Sequence, residues 1–473
     1  MVIPGLPPIQ CVPGPGSRRF VFGGQGSARC AALLCALWIG AAALVGVSPA
    51  VAEPIAALSA QTTRLDNGLL LITTTDPESE VASVQVWYRG GTRLDPPGGS
   101  GLAHLFEHLL FDPGDPAVQV GHRAALQDLG GGAGAYTTPD ALVLVNTAPA
   151  AALEACLRLE AQRMGSLRLA PEAFEKQRAY IRNERFAQLD SQPLAGGVQE
   201  LLGLLYPSHP YRWSIFGRPG ELEALEFETV EAYYEERMAP DQAILVVASP
   251  RSHEEILRLV KRHFGSLRAS GATPAAPSRE PEPTSTIRST GQTALPFPIL
   301  AAGFRAVSGT PQEARALEIA EWILAEGSNA RLHRSLITEA SLAFAVNGSV
   351  LVRIDPGSLQ ILVYVRPGAE SAAVEEHLFA ELARLAQEGP TPEELSVAQH
   401  CLETRSLYRL QTAEGRAQAL GQAALTEGEA ARAAERPDRW RAVTAVEVQQ
   451  VARVALAPGR RCILWMMPSG GQP

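Results

Sequence analysis

Residues 101–111 read Gly-Leu-Ala-His-Leu-Phe-Glu-His-Leu-Leu-Phe. Within them His104, Glu107 and His108 stand in the order H-x-x-E-H. On a helix, positions i and i+4 share a face, and i+3 lies beside them. Two imidazoles so placed can grip one metal ion while the carboxylate points at the same spot. Leu102, Leu105, Leu109 and Phe111 supply the apolar neighbours that bury the rest of the helix. A single histidine on such a helix is usually a satisfied core residue. Two of them with a glutamate at these offsets point to a metal centre.

Upstream, residues 1–52 read as a secretory signal peptide. Arg18, Arg19 and Arg29 form a positive lead, Ala31 to Val47 is an uncharged apolar run, and Ala50-Val51-Ala52 is a small-x-small cleavage site. The run is marginal in length for a membrane span, so cleavage, with no membrane anchor left behind, is the expectation. Export implies a periplasmic or secreted protein. Cys11, Cys30 and Cys35 leave with the signal, and Cys156, Cys401 and Cys462 remain. Three cysteines allow at most one disulfide and give no zinc-site spacing.

After removal of that segment, 38 basic residues face 50 acidic ones, a net charge of −12. Such a balance disfavours nucleic acid, which needs basic surface. The length suits two domains better than one core. Strands are expected at 63–75 (with a turn at Asp66-Asn67-Gly68), at 81–90, as a pair within 133–147, and at 243–248. Helices are expected at 119–129, 149–165, 171–190, 195–205, 227–238 and 252–264. Residues 268–292 are rich in Pro, Ser, Thr, Ala and Glu without an apolar period, and read as a linker. Beyond it the order repeats. Strands come at 297–305, 343–352, 358–365 and 461–467, and helices at 311–325, 370–388, 391–410 and 444–455. The plan divides the chain into a domain at 53–267, the linker, and a domain at 293–473, with an internal duplication.

H-x-x-E-H inverts the H-E-x-x-H order of zinc proteases. Together with Leu129-Gly130-Gly131, Ala135-Tyr136-Thr137, Asp140, His209-Pro210-Tyr211 and Gly217, it makes the chain resemble the pitrilysin-like inverzincin metallopeptidases, half-size bacterial type. This family includes insulin-degrading enzyme and the mitochondrial processing peptidase. The resemblance spans residues 60–470 and implies an α+β fold. Two similar domains, each a mixed, mostly antiparallel sheet packed with helices, would form half of a clamshell. The third metal ligand it implies, a glutamate about 76 residues past the second histidine, is Glu184. One Zn2+ per chain would then sit on His104, His108 and Glu184, with a fourth position open to water. Glu107, beside the metal, would be the general base. Substrate peptide would pair with an edge strand at Ala133, Gly134, Ala135 and Tyr136. The remaining histidines are expected to be structural or at the surface.

Four positions depart from the family pattern. Gln177, two helical turns before Glu184, replaces a glutamate and can support the ligands only by hydrogen bonding. Gly134 stands where a substrate-contacting asparagine is usual. Ile337 and Phe344 stand where an Arg and a Tyr from the second half hold substrate. An Ile has no guanidinium donors, and a Phe has no phenol for an oxyanion. The resemblance therefore implies a zinc subunit whose homologous half-size partner supplies the Arg and Tyr. A self-sufficient homodimer is the alternative within the same chemistry. A non-catalytic scaffold or chaperone-like subunit is the alternative outside it, and such subunits usually lose metal ligands that this chain keeps.

Overall fold

The computed structural model describes residues 58–114, 121–306 and 311–469. The signal peptide expected at 1–52 lies outside the described residues. Among the described residues, strands β1 (Gln61–Arg64), β2 (Leu70–Thr75), β3 (Val81–Arg89), β4 (Gly132–Thr137), β5 (Ala141–Pro149) and β6 (Ala243–Ser249) form one sheet. Its order is β1-β2-β6-β3-β5-β4. Strands β7 (Ile287–Thr293), β8 (Ile299–Arg305), β9 (Ala343–Leu351), β10 (Ser358–Val365) and β11 (Arg461–Pro468) form the second, in the order β7-β11-β8-β10-β9.

With β1 set aside, the two sheets have one topology. Each half pairs its first strand in parallel with its last. The last strand then meets the second, the second meets the fourth, and the fourth meets the third, all antiparallel. This is the duplication and the mixed, mostly antiparallel α+β plan expected from the sequence. It leaves the third strand of each half, β4 and β9, at an edge.

The helices that matter in the first half are α1 (Leu102–Leu109), α2 (His122–Asp128), α3 (Leu153–Gly165), α4 (Pro171–Arg185), α5 (Pro193–Leu205), α6 (Phe227–Arg237) and α7 (His253–Phe264). In the second half they are α8 (Pro311–Ala325), α9 (Ser371–Glu388), α10 (Pro392–Arg409), α11 (Ala413–Thr426) and α12 (Ala445–Ala455). Alternate residues of β3 part to opposite faces. Val84, Val86 and Tyr88 join a core with α1, α3 and α7. Trp87, with Val143, Ile244 and Val246, faces the other way and meets Leu420, Ala417 and Ala423 of α11. In the second sheet Leu359, Ile361 and Val363 pack with α8, α9 and α12. Its other face, at Ile299, Ala301, Leu464 and Met466, is covered by Leu201, Leu202 and Leu205 of α5.

Each half therefore lends one helix to the sheet of the other. Small residues permit the close approach. Gly421 of α11 lies against Trp87, and Gly197 of α5 lies against Met466. A polar network adds a second tie between the halves. Tyr211 donates from its hydroxyl to Asp140 Oδ1 at 2.5 Å and accepts from the Asp355 N–H at 3.1 Å. Arg93 Nη1 donates to Asp355 Oδ2 at 2.7 Å. His209-Pro210-Tyr211 carries this junction.

Two elements that shape the packing differ from the sequence expectation. The end of the segment read as a linker forms β7, whose alternating half-exposed residues Ile287-Arg-Ser-Thr-Gly-Gln-Thr gave no apolar run. The helix α11 was not expected. Its packing face is built from Ala and Gly, which carry little periodic hydrophobic signal.

Candidate metal centre

The metal helix α1 is set in place at its N-terminus. Gly101 takes a left-handed conformation at φ 98° and passes close to the Phe216 carbonyl. Half-buried Asp95 accepts from the Gly101 N–H at 2.7 Å and the Ala103 N–H at 3.1 Å, capping the first turn. Leu102, Leu105, Phe106 and Leu109 are fully buried. Phe106 stacks on Tyr233 of α6 with ring centroids 4.9 Å apart. That leaves the third face of the helix, with His104, Glu107 and His108, for α4 and β4.

Helix α4 begins with Pro171 at its first position and buries Phe174 and Ile181. It presents Glu184 to α1. Glu184 Oε2 lies 3.4 Å from His108 Nε2 and 3.7 Å from His104 Nε2. One ligand atom from each of the three residues falls within 4.8 Å of the others. Gln188, on the turn that prolongs α4, donates to Glu184 Oε1 at 2.6 Å. This fixes the carboxylate with Oε2 toward the imidazoles, where it is buried without a hydrogen-bond partner. A lone buried carboxylate oxygen facing two ring nitrogens is costly unless a cation satisfies it. Tetrahedral zinc holds its N and O ligands about 3.3 Å apart, close to the observed separations. The donor set, two imidazoles and one carboxylate, is that of open catalytic zinc sites.

The electrostatics agree. Burial, with the neighbouring His108, pushes His104 down to about 4, so the imidazole is neutral and its lone pair available. The His108 imidazole beside Glu184 holds that carboxyl below its usual range against the cost of burial. Glu107 is raised by burial, with the Thr137 hydrogen bond pulling the other way. Thr137 Oγ1 donates to Glu107 Oε2 at 2.6 Å.

The other residues singled out in the sequence fall as follows. Ala133, Gly134, Ala135 and Tyr136 lie on β4, the edge strand beside Thr137. Tyr136 meets Trp87 edge-to-face at 6.2 Å. Gln177 is buried and donates to Asp112 Oδ2 at 3.0 Å, so it holds the loop that leaves α1. Ile337 packs against the core of the second half. Phe344, 42% exposed on β9, meets Phe297 at 4.7 Å and Tyr364 at 6.1 Å. Sequence reasoning missed Asp95 and Gln188, and met Thr137 only within the resemblance, with no role attached. Only Gln188, four residues past Glu184, left a local signal.

Comparison with known proteins agrees with this geometry. Residues 70–202 match the insulinase (peptidase family M16) profile, and residues 224–402 match that of the peptidase M16 inactive domain. An uncharacterized zinc protease of Mycobacterium tuberculosis is 26% identical over 414 residues, 86% of this chain and 93% of that protein. A protease from Helicobacter pylori shares the fold with a TM-score of 0.81 at 21% identity, over 87% of this chain and all of that one. A peptidase M16 inactive domain from Pseudomonas fluorescens follows at 0.78 and 17%, over 88% of this chain and 99% of that one. The second half, which carries most of the inactive-domain match, repeats the topology of the first without its His-His-Glu cluster among the described residues. The chain belongs to the M16 (insulinase) family of zinc metallopeptidases.

Proposed function

We propose that this protein is an exported zinc endopeptidase that cleaves peptides or unfolded segments. The observation that carries the reading is the buried, unpartnered Glu184 Oε2 facing His104 and His108. His104, His108 and Glu184 hold the metal. Zinc, when bound, supplies a Lewis acid that polarises a carbonyl and makes water more acidic. Glu107 takes the proton of the attacking water and returns it to the leaving amine. Its Oε2 is occupied by the Thr137 hydroxyl, which leaves Oε1 for that proton.

Substrate lies extended along β4. Its main chain pairs with the edge of the sheet, which reads little side-chain identity. Thr137 belongs to the same strand, so the peptide track and the base are coupled by one hydrogen bond. Ile337 and Phe344 support a division of labour in which a homologous half-size subunit brings the Arg and Tyr. Glu107→Gln keeps the ligands and removes the base. The expected result is full zinc occupancy with peptide turnover reduced by about 10²-fold or more. Turnover at the normal rate would remove Glu107 from this role.

A further inference from the structure

Helices α1 and α4, which bring the metal ligands together, touch at a ladder of points. Glu184 meets His104 and His108. Tyr180, one turn before Glu184, lays its ring 5.3 Å from that of His108. Gln177 donates to Asp112 Oδ2 at 3.0 Å. The Ala170 N–H donates to the Pro113 carbonyl at 3.0 Å, and a Cβ at Gly114 would lie 2.7 Å from that of Ala173. Residue numbers rise along one side of the ladder as they fall along the other. The two segments therefore run antiparallel, with the metal ligands toward one end and Asp112 toward the other.

Gln177 is the covered polar rung of this ladder outside the ligand set. It is 7% exposed and stands two turns before Glu184, about 10 Å along the helix. Asp112 lies just past the end of α1, where its N–H donates to the His108 carbonyl at 3.1 Å. One hydrogen bond thus joins the helix that carries Glu184 to a residue bonded to a histidine ligand. Lys176 Nζ also reaches Asp112 Oδ2, at 2.6 Å, but its side chain is 69% exposed, and an ion pair so solvated holds little. An ionised carboxylate is acceptor-only. Opposite it the amide of Gln177 can donate, whereas a glutamate at 177 would set two carboxylates about 3 Å apart.

We propose that Gln177 and Asp112 are positioning residues that hold α4 level with α1 so that Glu184 meets both histidines, and that the amide at 177 is matched to the carboxylate at 112. The departure at Gln177 is then a compensated one, and restoring a glutamate there harms the site unless Asp112 changes with it. This rests on the zinc-centre reading and adds the pair outside the ligand set that tunes its hold on the metal.

The test reads zinc affinity by competition with a chromophoric chelator, alongside the melting temperature of the zinc-free protein. Gln177→Glu should weaken zinc binding about ten- to a hundredfold. Gln177→Glu combined with Asp112→Asn moves the donor to the other side of the pair and should recover most of that loss. Asp112→Asn alone keeps an acceptor for Gln177 and should cost far less than Gln177→Glu. Lys176→Ala should leave zinc affinity as it is. Gln177→Ala removes the donor without adding a charge, should also weaken zinc binding, and decides the matter if Gln177→Glu does not fold. Unchanged zinc affinity in the Gln177 variants, or a double variant as weak as Gln177→Glu, overturns the proposal. So does a loss confined to the melting temperature of the zinc-free protein, which would make the pair a structural clamp only. A wild-type protein that binds no zinc overturns the zinc centre itself, and this proposal with it.

Discussion

Thr137 Oγ1 donates a 2.6 Å hydrogen bond to Glu107 Oε2, and thereby joins the edge strand β4 to the metal helix. The hydroxyl does not reach the metal ligands. It fixes which oxygen of Glu107, the proposed base, is free, and lowers a carboxyl that burial alone would raise further. Thr137→Val keeps the β-branched shape and removes the donor. It should lower kcat about tenfold with zinc content unchanged, and Thr137→Ser should restore most of the rate. If Thr137→Val acts only on KM, the bond serves the strand and not the base.

Asp95 sets a pH dependence of stability. Desolvation pushes its carboxyl up to about 8, against the pull of the Gly101 and Ala103 N–H groups and of Arg237. The unfolded chain releases that proton near pH 4. Between about pH 4 and about pH 8 the folded state therefore binds more protons than the unfolded one. The contribution of this group is most favourable below that window. It is lost as pH rises through it, by up to about 1.4 kcal/mol per unit. Asp95→Asn abolishes the titration, at a baseline cost from one uncapped N–H. Denaturant unfolding across the window should give a flatter stability profile for the variant, and parallel profiles would contradict this.

The contact of α11 with the first sheet is tight enough for one methyl group to matter. A Cβ at Gly421 would lie 2.3 Å from Trp87 Cε2. Ala in place of Gly gains about 1 kcal/mol of helix propensity, while overpacking a core costs about 1–3 kcal/mol. The clash should win, so Gly421→Ala should melt below the wild type and shift the emission of Trp87. A raised melting temperature would mean that the contact yields easily.

The junction at Tyr211 should act as a single unit. Tyr211→Phe removes the donor to Asp140 and the acceptor of the Asp355 N–H together. A loss of about 1–3 kcal/mol is expected, since buried Asp140 Oδ1 keeps only Arg93 at 3.4 Å and the half-buried Asp355 N–H loses its acceptor. A double-mutant cycle with Asp140→Asn should give less than the sum of the single effects. Additive losses would show that the two side chains act separately.

How much of this was legible in the sequence depended on how local each signal was. His104, Glu107 and His108 share two turns of one helix, so spacing alone exposed them. Glu184 stands on another helix and was reached only through family resemblance. The strands with apolar patterns were found, whereas β7, half-exposed along its length, was read as linker. Helix α11 escaped because Ala417, Gly421 and Ala424 pack by being small. The roles of Thr137 and Asp95 gave no warning, because a threonine in a strand and an aspartate before a Pro-Pro turn have ordinary local explanations. Their roles come from contacts made across the fold.

The central claim is that His104, His108 and Glu184 form one zinc centre. Zinc per chain, measured by elemental mass spectrometry on the purified protein and its Glu184→Ala variant, tests it most directly. The account predicts about one zinc per wild-type chain and a marked loss in the variant with folding retained. Equal zinc in both proteins, or none in the wild type after exposure to the metal, would contradict it.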